Sequence, residues 1–126
     1  MAKHKRQGDV AIGPRTKAKL AVALANSKKA EDIVVLDVRK VTNFCDYFFI
    51  CSGNTERQVA AIAQGIEEGF LEKKIKAITP QRGRNGVWAL LDYGDLIIHV
   101  FQKEAREYYK LERLWVDAPR LSFPTN

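Results

Sequence analysis

Residues Gly86–Ala118 read GVWALLDYGDLIIHVFQKEAREYYKLERLWVDA, and they hold both tryptophans and three of the four tyrosines of the chain. Within them, Leu96-Ile97-Ile98-His99-Val100-Phe101 is apolar on both parities, unlike a strand with one wet face. Such a strand must be covered on both sides. The segment before it, 87–92, reads as a second strand, and Tyr93-Gly94-Asp95 between them is short enough to force an antiparallel hairpin. From Gln102 a helix is expected, with Ala105, Tyr108, Leu111 and Trp115 on one stripe and Tyr109 and Leu114 on another. Two apolar stripes on one terminal helix fit one face turned to the sheet and one turned to a partner.

Upstream, the same grammar repeats. Pro14 suits the first turn of a helix running to about Lys29, in which Leu20, Ala21, Leu24 and Ala25 form a narrow apolar stripe. Ile33–Val38 is a β-branched strand, and Asp46–Cys51 a second strand apolar on both faces. Thr55-Glu56-Arg57-Gln58 has capping-box form. The helix after it runs to about Lys73 with Val59, Ile62, Ala63, Ile66 and Phe70 inward. Gly65 and Gly69 lie four apart and permit close approach of a neighbour. Lys76–Thr79 is a short strand ended by Pro80, and Gln81–Gly86 a basic loop. The expected fold is an α/β sandwich around a mixed sheet of about five strands flanked by helices.

A length of 126 residues leaves room for one domain with tails. Residues 1–13 read as a basic disordered leader, 14–118 as the domain and 119–126 as a disordered tail. The net charge of +6 is uneven: residues 1–29 carry eight basic groups against Asp9, for +7, while residues 30–126 carry 13 basic and 14 acidic groups, for −1. A basic leader favours polyanions such as RNA. No apolar run approaches the roughly 18 residues of a membrane span, and no signal peptide opens the chain. These features lead to the expectation of a cytoplasmic protein with its cysteines reduced. Cys45 and Cys51, six apart in one extended segment, lie too far apart to bridge at the roughly 7 Å a disulfide allows.

Candidate chemistry is sparse. Asp92 and Asp95 flank a turn, where aspartate and Gly94 serve the backbone. Their spacing does not match the DxD or DxE pair that a nucleotidyl-transfer site wants after a Gly-Ser turn. His99 stands in an apolar strand, as a hydrogen-bonded core histidine does. Ser52-Gly53-Asn54 before a helix offers amides to an anion, without the lysine and glycines of a phosphate loop. No metal site, cofactor site or catalytic constellation assembles.

Several separated motifs carry a resemblance. Ile33–Val38, Asp46-Tyr47-Phe48, Ser52-Gly53-Asn54 and Arg57-Gln58-Val59 are followed by Trp88, Leu91–Asp95, His99-Val100-Phe101, Arg106, Tyr109 and Leu111–Trp115. In order and spacing they resemble the ribosomal silencing factor (Iojap) family over about residues 30–118. The resemblance implies a nucleotidyltransferase-like sandwich without a catalytic site, and a non-catalytic factor that homodimerises when free. It further implies binding to the large ribosomal subunit through ribosomal protein fourteen, blocking the small subunit from joining and repressing translation. The expected contact residues are Trp88, Asp92, Tyr93, Asp95 and His99 around the hairpin, with Tyr109, Leu111 and Trp115 from the last helix. The chain departs from the family at Arg82-Gly83, where an acidic residue is usual, and in a loop about one residue shorter. The rival readings are a divergent nucleotidyltransferase-like enzyme and a generic RNA-binding domain driven by the leader.

Overall fold

A computed structural model describes residues 12–80, 86–110, 113 and 116–123. Most of the expected leader, the basic loop, Leu111, Trp115 and the last three residues lie outside them, as do the side chains of Tyr108 and Tyr109. The elements run α1 Pro14–Ser27, β1 Glu31–Asp37, β2 Tyr47–Gly53, α2 Glu56–Glu72, β3 Thr79–Pro80, β4 Trp88–Asp92, β5 Leu96–Gln102, α3 Lys103–Tyr109 and β6 Arg120–Leu121. The six strands form one mixed sheet in the order β3-β4-β5-β2-β1-β6. Only β2 and β5 are parallel, in register from Tyr47 opposite Leu96 to Gly53 opposite Gln102. They are the central pair, which is why both read as continuous apolar runs and why every residue of β2 is buried.

Strand alternation sends the two parities of each strand into two separate clusters. Val35, Tyr47, Phe49, Cys51, Ala89, Leu91, Leu96, Ile98 and Val100 pack against Ala18, Ala21 and Val22 of α1 and Ile62, Ile66 and Phe70 of α2. The opposite face gathers Leu36, Val38, Phe48, Ile50 and Phe101, with Trp88, Ile97 and Ala105 packed against them. Both cysteines are buried and neither is in a disulfide, and burial pushes the Cys51 thiol up to about 12.

The local signals act as their chemistry requires. Pro14 occupies the first turn of α1. At α2 the Thr55 hydroxyl accepts from the Gln58 amide at 3.0 Å, while the Gln58 side chain accepts from the amide of Asn54 rather than of Thr55, at 2.7 Å. In the β4–β5 turn Gly94 has φ of +86° and its amide donates to Asp92 Oδ1 at 2.8 Å.

Three expectations are corrected. The segment after Ala118, read as a patternless tail, supplies β6, which pairs Leu121 with Val35 and Arg120 with Leu36 and raises the sheet to six strands. A two-residue edge strand is too short to leave a periodic signature. The third strand is not Lys76–Thr79 but Thr79–Pro80, paired to Asp92 and Leu91; at a sheet edge the missing proline donor is tolerated. The last helix does not run unbroken to Trp115. Lys110 adopts φ 50° and ψ 44°, and its amide returns to the Arg106 carbonyl, ending α3 at Tyr109. A helical stripe drawn from Ala105 through Leu111 to Trp115 therefore has no continuous helix beneath it.

Gly69 and Gly65 lie where α1 crosses α2. A Cβ on Gly69 would meet both Leu24 methyls at 2.5 Å, whereas one on Gly65 would meet the Lys28 chain, nearest at its Cε at 2.7 Å. A lysine tail swings aside; a packed leucine branch does so less readily. Gly69→Ala is expected to cost on the order of 1 kcal/mol from overpacking even after its gain in helix propensity, and Gly65→Ala to be neutral or stabilising. Urea denaturation of the two variants side by side checks the difference, and equal midpoints would contradict it.

Candidate functional site

The face of β4 and β5 turned away from α1 and α2 carries an aromatic cluster built by register. Trp88 lies opposite Phe101 and Leu90 opposite His99, with Asp92 opposite Ile97. The Trp88 indole stacks on Phe101 at 4.9 Å between centroids, and its Nε1–H donates to His99 Nδ1 at 3.2 Å. Phe48 of β2 meets the His99 ring edge-on at 5.2 Å. The bond from Trp88 places the proton of neutral His99 on Nε2, which is buried and has no partner among the described residues. Burial lowers the His99 pKa to about 4. Trp88, Leu90, Asp92 and Ile97 remain half-buried, so they form the outer strip of this cluster.

The residues expected to share a contact surface thus divide. Trp88 and Asp92 stand on the strip. His99 lies beneath it, only 5% exposed, as the support that orients Trp88. Tyr93 and Asp95 are on the helix side. Tyr93 is 5% exposed and stacks on Phe70 of α2 at 4.3 Å, and burial pushes its hydroxyl pKa up. Asp95 is 7% exposed and accepts from Lys17 Nζ of α1 at 2.9 Å. Its carbonyl also receives the amides of Asp46 and Tyr47, tying the hairpin turn to the start of β2. Tyr93 and Asp95 are corrected from surface contacts to parts of the core: a turn immediately over two helices has one side chain after another drawn under it. Leu90 and Ile97, which sequence reading passed over, share the face of Trp88, and strand parity alone was the signal that names them.

Ser52, the residue of the Gly-Ser turn comparison, is 1% exposed, and its hydroxyl accepts from Arg106 Nη1 at 2.8 Å; the same nitrogen donates to the Asp32 carbonyl at 2.6 Å. Arg106 is therefore a strut from α3 to the sheet, invisible in sequence because its partners are 54 and 74 positions away. At the α2 N-terminus the Asn54 and Gln58 amides already bond to the motif's own side chains, which leaves less for an anion. Among the described residues no group of three or more His, Cys, Asp or Glu side chains is placed to hold a metal ion, and no helix is long and apolar enough to cross a membrane.

The model of the family described as "Ribosomal silencing factor during starvation" matches residues 12–126. The chain belongs to the ribosomal silencing factor family. It is 44% identical over 106 residues to a ribosomal silencing factor of Bacillus subtilis, spanning 80% of this chain and 86% of that protein. A mouse protein, "Mitochondrial assembly of ribosomal large subunit protein 1", is 30% identical over 107 residues, 82% of this chain and 47% of that one. A solved structure from Chromobacterium violaceum superposes with a TM-score of 0.80 at 29% identity, covering 91% of this chain and 95% of that one. The mixed α/β sandwich is thus the fold of this family member and of its solved relative.

The depressed His99 pKa has a direct consequence. Between about pH 6.5 and about pH 4 the unfolded chain binds a proton at His99 that the native chain refuses, so stability is full above pH 6.5 and falls as pH drops toward 4. The loss should reach on the order of 3 kcal/mol. Urea denaturation across that range is expected to show it, and His99→Leu to flatten the dependence while lowering stability at neutral pH by removing the Trp88 acceptor. An equally steep profile in the variant would assign the effect to other groups.

Proposed function

We propose that the protein acts in the cytoplasm as a non-catalytic silencing factor. It binds the large ribosomal subunit through ribosomal protein fourteen and excludes the small subunit by volume, repressing translation. The observation that carries the reading is the half-buried strip of Trp88, Leu90 and Ile97, closed at one end by the Asp92 carboxylate, in a chain of this family. An aromatic anchor with aliphatic neighbours supplies buried area, and a carboxylate at the rim suits the basic surface of a ribosomal protein. Steric exclusion needs no reacting group, only a rigid body seated where the second subunit must dock. His99 and Phe101 supply that rigidity by holding the indole from below.

Tyr109, Leu111 and Trp115 also belong to the contact residues in this proposal, and the free protein pairs with a second copy of itself. The relatives support the ribosome as partner: the names of the Bacillus and mouse proteins refer to the ribosome and to its large subunit.

Sedimentation through sucrose with purified large subunits tests the reading. The wild-type chain is expected to co-migrate with them and to reduce the joined fraction when small subunits are added. Leu90→Glu and Asp92→Lys are each expected to weaken binding roughly tenfold or more, equivalent to about 1.4 kcal/mol, while the thermal melt followed by circular dichroism stays near wild type. Co-migration by both variants at wild-type affinity would remove the strip from the contact. Failure of the wild type to co-migrate would remove the function.

A further inference from the structure

A cleft lined by a different set of residues lies at the β1 side of the sheet. The start of β1, the end of β2, α3 and β6 enclose its volume of about 530 Å³. Five cations line it, Lys103, Arg106, Lys110, Arg113 and Arg120, against two carboxylates, Asp32 and Glu107, for a sum of +3. Residues 30–126 together sum to −1 from 13 basic and 14 acidic groups, so the fold gathers five of those 13 cations into one cleft. They arrive from α3, from the segment after it and from β6, elements with no common sequence pattern. Lys103 already has the Glu31 carboxylate at 3.7 Å, and an anionic ligand would relieve the repulsion that remains among the others.

The backbone around the cleft is specialised. Asp32 holds φ of 53° inside β1, where the register to β2 breaks between Glu31 and Val34, and Lys110 holds φ of 50° at the end of α3. Left-handed backbone is costly for any residue with a Cβ, and such positions concentrate where structure serves a ligand. The turned Asp32 carbonyl and the Ser52 hydroxyl both accept from Arg106, which sets the wall of the cleft and the placing of α3.

Among the described residues that line the cleft, five are cations. A sugar–phosphate backbone needs cations along an open groove. We infer that this cleft binds phosphate groups of an RNA backbone, with Lys103, Lys110, Arg113 and Arg120 meeting the phosphates and Arg106 as a positioning residue. The choice of RNA as the source of phosphate rests on the ribosome reading above; the phosphate chemistry of the cleft does not.

Fluorescence anisotropy of the full chain with a fluorescein-labelled RNA hairpin, titrated with salt, tests the inference. The leader is present in every protein compared, so differences between variants isolate the cleft. The Lys110→Glu/Arg113→Glu double variant is expected to bind roughly tenfold or more weakly and to lower the slope of log affinity against log salt by about 2, near one for each phosphate that is no longer neutralised. Lys19→Glu, on the exposed side of α1, is expected to stay close to wild type. Lys110→Gln/Arg113→Gln serves should the reversed charges prevent folding, and an unchanged slope in that folded variant would overturn the proposal. Inorganic phosphate and ATP are added as competitors; displacement of the hairpin by ATP at concentrations where phosphate has no effect would make this a nucleotide site and overturn the RNA assignment. Large-subunit co-sedimentation of the wild type is run in parallel. Weakened hairpin binding by the cleft variants supports the inference even if the wild type fails to co-migrate, an outcome that overturns only the ribosome reading.

Discussion

The parallel pairing of β2 with β5 is the constraint on which the rest of the structure depends. A parallel pair joins only by a crossover, and its two strands are apolar on both parities, so each face must be covered. The crossover itself supplies α2 to one face, where α1 joins it. The other face receives α3, Ala118 and the aromatic group around His99. β1 and β4 add antiparallel strands on either side, and the two-residue strands β3 and β6 end the sheet with little edge to template further pairing.

That arrangement leaves the two faces of the sheet differently covered. The helix-covered face is closed, and it takes Tyr93 and Asp95 with it through Phe70 and Lys17. The opposite face is closed only in its interior. Its interior histidine is kept neutral by burial and accepts the indole hydrogen bond, so Trp88 is held from below while Leu90, Asp92 and Ile97 flank it half-buried. In the proposed function this strip is the docking surface, and it would need little rearrangement on binding because its anchor is already oriented. At the far end of the same sheet, Arg106 braces the basic cleft. Under the two proposals above, one feature would hold a ribosomal protein and the other neighbouring RNA, each contact raising the effective concentration for the other.

The aromatic strip and the hairpin residues show how closely packing and function share a segment here. Asp92 and Asp95 are three positions apart around one turn, yet one faces out with its carboxylate on the Gly94 amide and the other is enclosed with Lys17. His99 is two residues from Phe101 on the same face and, like it, buried.

Much of this was legible in the chain itself. The double-sided apolarity of 96–101 and 46–51 required a central pair of strands. Thr55 and Gln58 announced the start of α2, and Gly94 the hairpin turn, because these signals act over a few neighbouring residues. Periodicity likewise named the inward stripe of α2; on α1 it found Ala21 and Ala25 but passed over Ala18 and Val22, while Leu20 and Leu24 are only partly buried. What the chain could not disclose on its own depends on partners far away in sequence: that Asp95 meets Lys17, that Tyr93 turns under α2, that Arg106 reaches Ser52 and Asp32, and that Arg120 and Leu121 add a sixth strand. The break at Lys110 was hidden for a different reason, since a lysine carries no left-handed preference and only the packing of α3 on the sheet made that turn worth its strain. Local chemistry therefore determined most of the longer elements and the starts of α1 and α2; the tertiary structure decided the short edge strands and which side of the sheet each side chain serves, because edge pairing, burial and charge pairing are set by neighbours that only folding brings together.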